Sequence, residues 1–230
     1  MPERQSELLT IVPLLSSPYL LVKKTARDQF HGVYHHHPEI QIEYVLAGSG
    51  VQIIGDRYSR FTSGDLLLFG PGVPHLRRPD PQYWREDQTK NFEVITLIFD
   101  PGLFSAAMLS IPAFKPISQL IQNSDRGVAI HGDAQAEVID LLIESFTTDP
   151  VKQINLLVNI LHCIGNASDL EYILPEPLDS PPSDNVSNRI SNIYSHALEH
   201  FRDTITIKDI AKVANLSEHS FCRYFKKRTN

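Results

Sequence analysis

Between Tyr19 and Phe99 the chain carries a succession of short segments rich in β-branched and aromatic residues, separated by turn signals and with no helical pattern between them. The segments are Leu20 to Val22, Ile40 to Leu46, Val51 to Ile54, Leu66 to Phe69 and Val94 to Phe99. Ala47-Gly48-Ser49-Gly50, Gly55-Asp56, Ser63-Gly64-Asp65 and Gly70-Pro71-Gly72 supply the turns. Strands this short and closely spaced imply an all-β sandwich or barrel. Ile40 to Leu46 alternates in part, as a wall strand does when one face meets an interior and the other faces out.

After Phe99 the character changes. Pro101, Pro112 and Pro116 break the chain into short pieces, with one-turn helices expected at 102–109 and 117–122. Ala134 to Phe146 and Val151 to Gly165 then carry apolar residues at i, i+3, i+4 spacing, and Pro150 opens the second as a first-turn proline does. Each helix shows an apolar stripe. Residues 173–187 hold four prolines with serines and acids and little to bury, so the domain boundary belongs there. Asn188 to Phe201 is a further amphipathic helix, with Ile190, Ile193, Tyr194, Ala197, Leu198 and Phe201 on one side.

The last 25 residues read as two short helices joined by a tight turn. Thr206 and Asp209 form a capping box, and Ile207, Ile210, Ala211 and Ala214 fall on one face. Asn215-Leu216-Ser217 is the turn, with Ser217 capping the next helix. There Phe221, Tyr224 and Phe225 point inward, while Glu218, His219, Ser220, Cys222, Arg223, Lys226 and Lys227 point outward. A capped polar helix with basic residues on its open face, held by a short apolar helix, is the pattern of a helix-turn-helix. Charge agrees with that reading. Residues 186–230 carry eight Lys or Arg against four Asp or Glu, whereas the preceding 185 carry thirteen against twenty-three. Positive charge is concentrated where a phosphate backbone needs it.

Composition excludes several classes. Hydrophobic residues make up 42% and charged residues 21%, ordinary for a globular chain of this size. Only Cys163 and Cys222 occur, one in each half, which argues against a disulfide framework. No apolar run reaches the length of a membrane span, and residues 1–30 lack a signal-peptide core. A cytoplasmic protein with no membrane partner is expected.

The run D-I-A-K-V-A-N-L-S followed by F-C-R-Y-F-K-K resembles the first helix-turn-helix of the AraC/XylS family of bacterial transcription regulators. The matching positions are Ile210-Ala211, Ala214, Ser217, Phe221 and Arg223 to Lys226, with Phe221 where Leu is more usual. The family's second helix-turn-helix and its linking helix do not follow before Asn230, so the expectation is a chain truncated after the first. The resemblance implies groove contacts from Ser217, Glu218, His219, Ser220 and Arg223, and phosphate contacts from Lys226, Lys227 and Arg228. It also implies that the helix pair after the barrel packs as an antiparallel hairpin and supplies a homodimer contact.

The first half resembles the cupin barrel, which that family couples to its DNA reader. The first cupin motif maps onto His35, His37, Gln41 and Gly48, and the second onto Gly64, Gly70-Pro71-Gly72 and His75. Residues two apart on a strand share a side, so His35 and His37 converge while His36 points away. His31 and His36 read as surface residues. Two departures stand out: Gln41 replaces a carboxylate, and Gly70 replaces a proline. Effector-binding candidates are His35, His37, Gln41 and His75, then Glu39 and Glu43, with Arg77, Tyr83 and Trp84 over the opening. No cofactor is expected. The alternative is a divalent metal on His35, His37 and His75, serving a metal-dependent enzyme.

The fold class is therefore α+β, in three parts. Residues 1–172 form a cupin-like sensor and dimerisation domain with a helical hairpin, 173–187 a linker, and 188–230 the first half of a helix-turn-helix domain. The expected function is transcription regulation by a small polar effector, a carbohydrate by preference, acting on double-stranded DNA.

Overall fold

A computed structural model describes residues 20–26, 34–84, 91–177 and 203–229, together with Arg189, Asn192, Ile193, His196, Ala197 and His200. Nine strands form two antiparallel sheets. β1 (Leu20–Ala26), β2 (Ile40–Ala47), β5 (Leu66–Phe69), β7 (Glu93–Phe99), β8 (Val128–Ile130) and β9 (Leu170–Tyr172) make the larger, in the order β1-β7-β2-β5-β8-β9. β3 (Ser49–Ile54), β4 (Arg57–Thr62) and β6 (His75–Pro79) make the smaller, in the order β4-β3-β6. Their inner faces meet, as where Ile54 of β3 packs with Leu67 and Phe69 of β5.

The five expected strands are present, several of them longer than the apolar runs that marked them. β4 and β6 escape an apolar pattern for a physical reason. β4 is a polar edge strand burying only Phe61, and β6 (HLRRP) buries His75 and Arg77 as polar side chains. The expectation that one face of β2 faces out is corrected. Ile40 and Ile42 lie under helices, and Gln41, Glu43 and Val45 on the other face are buried too.

Helices α1 (Ala106–Leu109), α2 (Lys115–Asn123), α3 (Gly132–Phe146) and α4 (Pro150–Gly165) follow the strands. Asp149 caps α4 by accepting from the Val151 and Lys152 amides, and Pro150 takes the first turn. The apolar core lies between α2–α4 and the outer face of the larger sheet. Ile40, Ile42, Leu66, Leu68, Leu97 and Phe99 meet Ile117, Leu120, Val138, Leu142, Leu157 and Ile160. Cys163 and Cys222 are unpaired thiols.

Ile173 and Leu174, assigned to the linker, instead belong to the barrel. Their amides donate to the Gly127 and Arg126 carbonyls, and Leu174 is buried against Gly55. Residues 178–188 of the linker lie outside the described residues, as do Ile190, Tyr194, Leu198 and Phe201 of the amphipathic helix. Ile193 does pack on the small C-terminal unit, against Ala211, Ala214 and Phe221. That unit comprises α5 (Ile207–Val213), capped reciprocally by Thr206 and Asp209, and α6 (Glu218–Thr229). Asn215 adopts φ of 52° in the turn between them, and the Ser220 amide donates to Ser217 Oγ. Ile207 departs from its expected inward face and is 54% exposed. Among the described residues no helix is long and apolar enough to cross a membrane.

Gly70 explains its own departure from proline. Its amide donates to the Ser124 carbonyl at 3.0 Å, a bond proline cannot make. A Cβ there would sit 2.3 Å from Ser124 Oγ and 2.4 Å from its backbone carbon. Gly70→Ala is expected to lower unfolding stability by about 1–3 kcal/mol through this overpacking. Urea denaturation checks it: an unchanged midpoint would mean the segment around Ser124 yields without cost.

Candidate functional site

The inward face of the barrel is polar. Alternation along β2 sends Ile40 and Ile42 to the helices and Gln41 and Glu43 inside. On β3 and β6 the register sets Gln52 against Arg77 and Ile54 against His75, all inward, while the intervening Ile53–Leu76 pair faces out. His37, Glu39, Gln41, Glu43, Gln52, His75, Arg77 and Thr96 are all buried.

Arg77 is the hub of this network. Its Nη1 donates to Glu43 Oε1 at 2.9 Å and its Nε to Gln52 Oε1 at 2.9 Å. The guanidinium carbon lies 5.2 Å from the Phe61 ring centre and 6.0 Å from that of Phe69. Glu43 accepts a second bond, from Gln41 Nε2 at 2.6 Å. Arg77 Nη2 is buried with no hydrogen-bond partner. The expectation that Arg77 covers the opening is thus corrected: the period-2 repeat from His75 carries it inward.

The three histidines converge. His35 and His75 bridge across two short extended segments, with His35 N donating to His75 O and His75 N to His35 O. Ring centres lie 4.6 Å apart for His35–His75, 5.2 Å for His37–His75 and 5.8 Å for His35–His37. His75 stacks on Phe69 at 4.3 Å. His37 is 1% exposed and His75 3%, whereas His35 is half-buried. Burial, and then the charge of His35, lowers the His37 imidazole to about 4. Burial, then His35 and His37, lowers His75 as well. Both rings are neutral near pH 7. Each Nδ1 faces a backbone carbonyl at 3.0 Å, Glu39 for His37 and Val73 for His75. A carbonyl only accepts, so the proton sits on Nδ1 and the lone pair on Nε2.

The structure therefore brings together His35, His37, Glu39, Gln41, Glu43, His75 and Arg77. Tyr83 is buried with Val45, Phe61, Phe92 and Val94, and the Trp84 side chain lies outside the described residues. His36 is half-buried rather than a surface residue, and His31 lies outside the described residues. Gln52 and Thr96 are interior residues that sequence reasoning missed. Both sat inside recognised strands, and pairing of Gln52 with Arg77 and of Thr96 with Glu43 would have revealed them. In the C-terminal unit Ser217, Glu218, His219, Arg223 and Lys226 are exposed and Ser220 is half-buried. The side chains of Lys227 and Arg228 lie outside the described residues.

Glu43→Gln is expected to destabilise the fold by about 3–5 kcal/mol, because it leaves the Arg77 charge buried without its counter-ion. Adding Arg77→Met should restore most of that loss. Urea unfolding of the two singles and the double tests the coupling, and purely additive losses would contradict it.

Residues 20–145 match the family model described as the AraC-like ligand binding domain. An uncharacterised HTH-type transcriptional regulator of Bacillus subtilis, YdeC, is 25% identical over 236 residues, covering 93% of this chain and 72% of that protein. The AraC-like transcriptional activator CuxR is similar at 12% identity and a TM-score of 0.39, covering 90% of this chain and 67% of CuxR. Unsaturated fatty acid-bound ToxT of Vibrio cholerae is similar at 12% identity and a TM-score of 0.42, covering 93% of each chain. With more than half of its length matched by that model, the chain belongs to the AraC-type transcriptional regulators, through their ligand-binding domain.

Proposed function

We propose that the barrel senses a small polar effector, a carbohydrate or sugar acid, and passes its occupancy to the helix-turn-helix. The observation that carries this reading is the division of β3 and β6 between two faces. Inward they present Gln52, His75 and Arg77; outward they present Ile53 and Leu76, which pack with Tyr34 and with Tyr224 of α6. Tyr224 also packs within the helix-turn-helix unit, beside Phe221 and Ala214. One aromatic ring thus joins the sensor wall to the DNA reader. Arg77 Nη2 offers a buried, desolvated donor suited to a hydroxyl or carboxylate oxygen. An effector shifts the arrangement only by binding one state better, and couplings of about 1–3 kcal/mol are usual for such devices.

In this reading Ser217, Glu218, His219, Ser220 and Arg223 approach base edges, and Lys226, Lys227 and Arg228 approach phosphates. The reading is of a regulator and not an enzyme: Glu43, the carboxylate nearest the centre of the network, is held by Arg77 and Gln41 and is not a ready base. A homodimer fits the hairpin. Ile143 and Phe146 end α3, Val151 and Ile154 begin α4, and all four are exposed, Val151 at 70%.

The test is a thermal-shift panel of mono- and disaccharides, sugar acids and small carboxylates. One compound should raise Tm saturably, by the equivalent of about 2.7 kcal/mol at a hundredfold excess over Kd. The Glu43→Gln/Arg77→Met double variant should lose that response. Tyr224→Ala should keep it, yet its footprint on DNA flanking its own gene should no longer change with the compound. A flat panel would sink the polar-effector reading, and an unaltered response in Tyr224→Ala would sink the route. For self-association, Ile154→Glu should convert the sedimenting species from dimer to monomer, and an unchanged species would move the contact elsewhere.

A further inference from the structure

We infer that His35, His37 and His75 form a divalent transition-metal site built from three neutral imidazoles without a carboxylate. The cupin fold suggests a metal, but the fit has to be judged on these residues. One ligand nitrogen from each ring can be chosen so that all lie within 4.8 Å of one another. A tetrahedral ion with bonds of about 2.0–2.1 Å needs nitrogens about 3.4 Å apart, which small side-chain rotations supply. The buried Nε2 atoms of His37 and His75 have no hydrogen-bond partner. With both Nδ1 atoms occupied by backbone carbonyls, each Nε2 is an acceptor, and two acceptors cannot satisfy each other. Orphaned acceptors are costly in a folded interior unless something electrophilic meets them. The same backbone contacts lock tautomer and ring orientation, as partners behind metal-bound histidines do.

The carboxylates nearby are directed elsewhere. Glu43 is engaged by Arg77 and Gln41, and Glu39 Oε2 lies 3.7 Å from His37 Nδ1, the edge of the ring turned away from the cluster. Gln41 contributes an amide and no charge. A set of three imidazoles suits Zn²⁺, Co²⁺, Ni²⁺ or Cu²⁺ and offers little to Mg²⁺ or Ca²⁺, which prefer oxygen. The ion would keep its full double charge and an open position facing the polar interior. The inference is independent of the effector reading, because metal binding is read directly and does not require any effector.

The experiment is a Co²⁺ titration of chain purified without a polyhistidine tag, followed by visible absorption and calorimetry. One Co²⁺ per chain is expected, with a ligand-field spectrum of nitrogen coordination that excess Mg²⁺ leaves unchanged. His75→Gln keeps a donor for the Val73 carbonyl, and His35→Gln changes the half-buried member of the set. Each should weaken Co²⁺ binding at least about tenfold while far-UV circular dichroism stays native. No Co²⁺ uptake by folded wild type would overturn the site and leave a bridging water as the partner of the two Nε2 atoms. Equal affinity in both variants would overturn it as well, placing the ion elsewhere. An effector shift without metal uptake would sink the site alone, and metal uptake with a flat effector panel would sink only the effector reading.

Discussion

The buried pair between Arg77 and Glu43 is the constraint around which the barrel is arranged. It ties β2 of the larger sheet to β6 of the smaller one across the interior, with both side chains almost fully removed from water. Desolvating two ions costs several kcal/mol each, and their attraction offsets this only when the remaining donors and acceptors are met. Here Gln52 accepts from Nε, Gln41 donates to the second carboxylate oxygen, and Phe61 and Phe69 lie beside the guanidinium. Each of these neighbours occupies an inward position two residues along a strand or directly across the register. Once Arg77 is inside, the inward positions of β2, β3 and β6 become largely polar.

A polar interior leaves the apolar burial to be found elsewhere, and it is found on the other face of the larger sheet. Ile40, Ile42, Leu66, Leu68, Leu97 and Phe99 are covered by α2, α3 and α4. Full burial of such side chains stabilises by about 1.5–3 kcal/mol each. Stability and recognition are thereby separated by the pleat itself: neighbouring residues on β2 serve opposite faces. Partnerless atoms such as Arg77 Nη2 can persist inside because the sheet and helices hold the fold without them.

This separation also explains what could be read from the chain. The caps at Thr206 and Asp149 were legible because a cap depends on residues within one turn. β5 and β7 were legible as apolar runs, buried on both sides. β6 was not, since its His, Arg and Pro resemble a loop until Gln52 and Glu43 are placed opposite them. β8 and β9, three residues each, exist only as additions to an edge already formed. The linker was drawn too early because Leu174 owes its burial to Gly55, more than a hundred residues away. Ile207 was read by helical spacing alone, yet nothing packs over the first turn of α5 to cover it. The histidine cluster was visible as spacing. The orphaned Nε2 atoms depend on the carbonyls of Glu39 and Val73, and no pattern in the sequence reports those.

His75, Leu76 and Arg77 are consecutive, and the three point alternately in, out and in. A strand paired on one side by five register positions with β3 is stiff along its length. A group that draws His75 or Arg77 inward therefore cannot leave Leu76 where it was, because the peptide geometry joins them. The contact that Leu76 makes, with Ile53, Tyr34 and Tyr224, is apolar and non-directional, so it tolerates more than one seating of the ring. A rigid strand facing a permissive contact is the combination in which a small displacement selects between packings. The polar side defines what is sensed, and the apolar side of the same three residues is where the reader domain rests.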